Sequence, residues 1–186
     1  MTEQPPTPAP GFDPAAGSYS GARAATRPAE LLDRFLARLI DGILLAIVNG
    51  VIVSAIIVGA VMGDSGGFYA ASTWAAGAVS AVVSTVIYLG YFTYLESSRG
   101  QTVGKMVMKL HTQGPGGGNP TMEQALRRNI WMGAGILGIV PFLGILGGLA
   151  ELVAVIMIAV GINNDTVNRQ AWHDHFAGET RVVKEV

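Results

Sequence analysis

The stretch 33-DRFLARLIDGILLAIVNGVIVSAIIVGAVM-62 decides the class of this chain. From Gly42 through Gly63 it holds no Asp, Glu, Lys, Arg or His. At 1.5 Å rise per residue that run makes a helix of about 33 Å, close to the roughly 30 Å hydrocarbon thickness of a bilayer. Just ahead of it, Arg34, Arg38 and Asp41 stand at i, i+4 and i+7, which on an α-helix is one stripe. Asn49 continues near that stripe two turns deeper. Charges lined up on one face of a lipid-length helix are expected to face protein or water, because facing lipid costs several kcal/mol each.

The rest of the composition agrees. Half of the 186 residues are apolar and only 13% are charged, where a soluble domain carries about 25%. The apolar residues come in long unbroken blocks rather than amphipathic periods, and mean hydropathy is positive. A formal net charge of −1 gives no sign of a nucleic-acid partner. With no cysteine, disulfides, thiolate metal sites and thiol chemistry are excluded. The length suits one membrane domain.

Outward from the first span, residues 1–29 are rich in Pro, Ala, Gly and Ser without apolar periodicity, and read as a disordered tail. The tail has neither the basic start nor the apolar core of a signal peptide. The spans are expected over about 40–62, 68–95 and 130–162. The first two are joined by 63-GDSGG-67, and the second ends in an aromatic group, Tyr88, Tyr91, Phe92 and Tyr94, of the kind that marks a membrane–water interface. The polar segment 96–129 follows. Within it, Lys105 to Thr112 alternates loosely as a short strand would, and Thr121 with Gln124 signals a capped helix start. The block from Ile130 to Ile162, broken only by Glu151, would measure about 50 Å as one helix, too long for one crossing. Pro141 and Gly147-Gly148 are places where it can break. It is either one tilted span plus an interfacial piece or a helical hairpin. Lys and Arg crowd the N-terminal flank (Arg23, Arg27, Arg34, Arg38) and the 96–129 segment, and are missing from the first connection. The positive-inside rule therefore puts the N-terminus and that segment in the cytoplasm. Arg169, Arg181 and Lys184 in the tail favour the same side, which requires an even number of crossings and hence the hairpin. The expected fold is an all-α polytopic membrane protein with three to four transmembrane segments and a small cytoplasmic cap of loop and tail.

Six residues stand out as candidates for binding ions, protons or substrate. Asp41 leads, either as a titrating or cation-binding carboxylate with Arg34 and Arg38 setting its charge, or as a packing partner of Arg38. Asn49 lies deeper on the same stripe. Glu151 is an intramembrane carboxylate, or, if a hairpin turns at Gly147-Gly148, a charge serving a helix N-terminus. Asp174, in 172-WHDHF-176, is expected to pair with an arginine near the first span. His173 and His175 alternate with it in a spacing unsuited to a shared ion, so no metal and no cofactor are expected. The 99-RGQTVGKMVMKL-110 segment lacks the spacing of a phosphate loop. No nucleophile–base pair points to an enzyme.

Taken together, RFLARLIDGILL, GQTVGKMVMKL, ALRRN and RQAWHDHFAGETRVV, in that order, resemble the RDD family of small membrane proteins over roughly residues 30–183. The family takes its name from one arginine and two aspartates, and the resemblance assigns these to Arg34, Asp41 and Asp174. This chain departs from the usual pattern at Trp172 and His175. The resemblance implies a bacterial inner membrane and a role in transport, some members looking like cation/proton antiporters, and it implies that the arginine and both aspartates come together. The leading expectation is a homo-oligomeric protein in the lipid bilayer that moves monovalent cations, protons or small solutes. The rival is a non-transporting accessory or scaffold protein whose charged cluster is structural.

Overall fold

The computed structural model describes residues 25–63, 69–140 and 142–186. Most of the expected tail, most of the first connection and Pro141 lie outside the described residues. In chain order the elements are β1 (Thr26–Pro28), α1 (Leu31–Gly63), α2 (Tyr69–Arg99), α3 (Val103–Val107), β2 (Leu110–Gln113), α4 (Met122–Asn129), a 3-10 helix (Ile130–Ile139), α5 (Leu143–Asn164), α6 (Trp172–Phe176) and β3 (Arg181–Glu185).

Among the described residues, three helical stretches are long and apolar enough to cross a bilayer: Leu31–Gly59, Trp74–Arg99 and Leu143–Asn164. Their outward faces leave Ile47, Val51, Val86, Leu152 and Ile156 exposed. A soluble fold would have to cover so much apolar surface, whereas hydrocarbon solvates it.

The third apolar block is a bent pair. Its first leg is the 3-10 helix, which packs against α2 and α5. At about 2.0 Å per residue this leg covers about 20 Å, less than a hydrocarbon core, while α5 covers about 33 Å. The bend falls between Val140 and Phe142, where Phe142 takes a φ of +70°. It does not fall at Gly147-Gly148, which α5 passes through without a break. Gly147 has a packing role instead, since a Cβ there would come 2.5 Å from the Ala134 carbonyl oxygen. The far end of α5 returns to the cap, where Gly161 lies against Ala171. Loop, tail and the start of α1 therefore share one end of the molecule.

That end corrects three expectations. The cap is not all helix. It holds an antiparallel three-stranded sheet in the order β1-β3-β2, with Thr26 opposite Glu185 and Gln113 opposite Arg181. Residues 26–28, read as the end of the tail, are its edge strand. Their partner lies far along the chain, so local composition carries no sign of it, and an edge position tolerates Pro28. The strand expected over 105–112 starts only at Leu110, because 103–107 form α3. Ala29, Ala37, Leu110 and Val182 close the small apolar core that fixes the sheet to α1. The start of α4 forms as the sequence suggests, with Thr121 and Gln124 making reciprocal capping bonds.

Candidate functional site: a buried charge cluster and two cavities

The stripe on α1 does run into protein, and each member finds a different partner. Arg34 is the tie to the tail. Its Nη1 donates to Asp174 Oδ2 at 3.2 Å, its Nη2 to the Arg169 carbonyl at 2.6 Å and its Nε to the Ala29 carbonyl at 3.2 Å. Arg38 lies over the Phe92 ring, 3.7 Å from its centroid, and donates to Asn129 Oδ1 at 3.1 Å. Tyr91 and Phe92 are thus part of the site rather than of an interfacial belt, while Tyr94 stays exposed.

Asp41 pairs with neither arginine. It is 1% exposed and accepts three hydrogen bonds from neutral donors: Tyr91 Oη at 2.7 Å, Thr102 Oγ1 at 2.6 Å and the Gly104 N–H at 2.7 Å. The same network satisfies the first turn of α3, for the Val103 N–H donates to Tyr91 Oη and the Lys105 N–H to Thr102 Oγ1. Glycine is required at 104, because a Cβ would overlap the Ala37 carbonyl and lie 3.0 Å from Asp41 Cγ. Asp41 therefore docks the loop onto α1. Its hydrogen bonds come from neutral donors, and Arg38 acts on it through space rather than by direct contact.

Behind Asp41 lies a second carboxylate that sequence reasoning missed. Glu96, at the end of α2, is fully buried. It pairs with Lys105 Nζ, accepts from Asn129 Nδ2 at 3.0 Å and has Arg128 Nη1 at 3.9 Å. Arg128 Nη2 reaches Asp174 Oδ1 at 3.2 Å, so the tail aspartate sits between two arginines, one on α1 and one on α4. Asp174 also accepts from the Ala171 N–H and Thr180 Oγ1, each at 3.2 Å. Buried ions are tolerated only when paired and hydrogen-bonded in this way. Burial works to raise the Asp174 pKa, but Arg128, His173 and Arg34 outweigh it and hold the carboxyl below its usual range. Burial next to Arg128 and Arg38 lowers the Lys105 ammonium to about 8 despite Glu96. Burial, with Arg128, Arg34 and Arg38 close by, drops His173 to about 3, so its imidazole is neutral at pH 7. His175 is exposed and pairs with Glu179 instead.

Asn49 and Glu151 do not join this cluster. The Asn49 Oδ1 is buried deeper on α1 with no hydrogen-bond partner among the described residues. Glu151 stands two turns inside α5 rather than at its start. Its carboxylate lies by the Gly135 backbone, where a Cβ would come 3.3 Å from Oε1 and 3.5 Å from Thr85 Oγ1.

Two cavities accompany these groups. One, of about 160 Å³, opens beside the cluster and is lined by Arg34, Arg38, Asp41, Lys105, Arg128, Trp131 and His173 together with apolar residues, mostly of α1 and α5. The other, of about 310 Å³, lies deeper among α2, the 3-10 helix and α5, lined by Glu151, Ser84, Thr85 and Tyr88. Trp131 lines both.

The pattern of the RDD family matches residues 28–178. No curated protein and no solved structure shows a significant match. With a family pattern running from the edge strand past the tail aspartate, and helices long and apolar enough to span a bilayer, the chain is a membrane protein of the RDD family.

Proposed function

We propose that the protein takes part in moving protons, monovalent cations or small solutes across a bacterial inner membrane, with Glu151 rather than Asp41 as the carboxylate that exchanges charge. The observation that carries this reading is the deeper cavity. It brings one carboxylate together with the hydroxyls of Ser84, Thr85 and Tyr88 at membrane depth, and an intramembrane carboxylate is expensive unless it is used. Asp41 already accepts hydrogen bonds from three donors that dock the loop, and these would have to be given up for full exchange of its charge. Trp131 stands between the deeper cavity and the one beside the cluster, as the wall a solute would pass. Three long helices and one short leg do not enclose a pathway alone, so a homo-oligomer would complete it. The distribution of Lys and Arg supports a cytoplasmic cap and N-terminus.

The test is ion-driven proton movement in proteoliposomes, with Na⁺, K⁺ and Li⁺ as drivers. Flux from wild type that is abolished in a folded Glu151→Gln variant and kept in a folded Asp41→Asn variant is the expected result. A well-folded wild type that moves none of these ions refutes the transport reading. It would favour the second one, a non-transporting accessory protein in which the cluster only locks loop and tail to α1, a role that the three loop-docking hydrogen bonds of Asp41 suit.

A further inference from the structure

The cavity beside the cluster has more positive charge and more free donors than the protein itself uses. Arg34, Arg38, Lys105 and Arg128 face only Asp41, Glu96 and Asp174 within the buried cluster, which leaves one positive charge over while His173 is neutral. The surplus has a direction. Arg38 Nη1, Arg128 Nη1 and Trp131 Nε1 are buried N–H donors with no hydrogen-bond partner among the described residues, and all three side chains line this cavity. Arg128 is the most enclosed, its side chain only 5% exposed, and its Nη1 has nothing nearer than Glu96 at 3.9 Å. His173 Nδ1, also unpartnered, lies in the same wall. Buried donors left unmade cost about 1–3 kcal/mol each, more when charged. Opposite them the wall is apolar, and Leu31, Phe35 and Val155 at the cavity are exposed on the outside of the helices, where lipid tails would lie.

We propose that this cavity is an oxoanion site that takes the phosphate or carboxylate head of an amphiphile from the surrounding leaflet, with its apolar tail leaving past Phe35 and Val155. Guanidinium and indole side chains from α1, α4 and the 3-10 helix line this one cavity, and N–H donors of these kinds suit the oxygens of a compact anion. A cation would meet the surplus charge, against a single lining carboxylate, Asp41, that already holds three donors. The volume holds a few waters or one tetrahedral head group, and not a whole lipid. Binding requires no transport, so this inference stands or falls apart from the reading above.

The experiment uses the full chain in nanodiscs of phosphatidylcholine doped with phosphatidylglycerol, with retained lipid counted by native mass spectrometry, and inorganic phosphate titrated in a separate arm. Two variants leave every buried ion pair in place: Trp131→Phe keeps an aromatic ring, though a smaller one, and removes a free donor, and Ala159→Leu fills the cavity from α5. One phosphatidylglycerol per chain, retained over phosphatidylcholine and weakened about fivefold or more by each variant, is the expected outcome, fivefold being the loss of about one hydrogen bond. Phosphate alone competing at equal affinity supports the oxoanion site and assigns its occupant to a free anion rather than a lipid. Equal retention of both lipids with no phosphate binding, or retention that neither variant changes, overturns the proposal and leaves water as the partner of these donors.

Discussion

Replacing Asp41 separates a docking carboxylate from a transporting one. In Asp41→Asn, Oδ1 still accepts from Tyr91 Oη and the Gly104 N–H, and the new amide N–H can donate to Thr102 Oγ1, whose hydroxyl turns round. Three charge-assisted bonds become neutral ones, a loss of about 1 kcal/mol each, and relief from burying a charge returns part of it. The net cost is about 1–2 kcal/mol. In Asp41→Ala all three donors are stranded at about 1–3 kcal/mol apiece, so roughly 3–9 kcal/mol is lost and the loop should undock. Amide hydrogen exchange at Gly104, in detergent, reads this directly. Asn at 41 should speed exchange by roughly 5- to 30-fold, since 1.4 kcal/mol is tenfold, and Ala should speed it by at least about a hundredfold. Unchanged protection of Gly104 in the alanine variant would refute the docking role, and the geometry around Asp41 with it.

Two further outcomes follow from the same region. Gly104→Ala should lower stability by about 1–3 kcal/mol in thermal unfolding, because its methyl overlaps the Ala37 carbonyl, whereas Gly116→Ala, with open space around it, should be neutral; equal effects would contradict the close approach of α3 to α1. The second concerns acid. His173 titrates near 3 when folded against 6.5 unfolded, so on acidification the unfolded chain takes up this proton first. Its contribution, fully present above about pH 6.5, should be lost by about 1.4 kcal/mol per pH unit as the pH falls towards 3. His173→Phe should flatten that slope between pH 6.5 and 4.5 in detergent unfolding curves, and an unaltered slope would mean the imidazole is not buried neutral.

Membrane-length apolar helices were legible because a hydrocarbon-length run without charge has few other uses, and Asp174 was expected to pair with an arginine near the first span, which the structure identifies as Arg34. Glu96 escaped notice for an instructive reason. It is the first charge after a long neutral span and so reads as the start of a solvated loop, yet α2 continues to Arg99 and carries it into the protein. Lys105 was hidden in the same way, on a segment whose loose alternation suggested a strand while Thr102 and Asp41 had nucleated a helix. The third block breaks between Ile139 and Leu143, around the proline that was one of the two places the sequence offered; the glycine pair looks like a hinge from sequence as well, and only the neighbouring Ala134 carbonyl shows that Gly147 makes room rather than a turn. Beyond the strand near Leu110, the sheet was invisible because β1 and β3 come from opposite ends of the membrane domain.

The order in which the cluster's members leave the ribosome has a consequence for biosynthesis. Arg34 precedes its partner Asp174 by 140 residues. At roughly 5–20 residues per second, that interval is on the order of ten seconds. Once residue 128 is made, Arg34, Arg38, Lys105 and Arg128 have within the cluster only Asp41 and Glu96 to answer them until Asp174 follows, and the nascent chain carries its excess positive charge at the end where insertion needs it. The tail aspartate then arrives and discharges that excess. Arrival of the tail aspartate and closure of the cap are thereby one event, and a chain that lacks residue 174 carries two under-neutralised arginines.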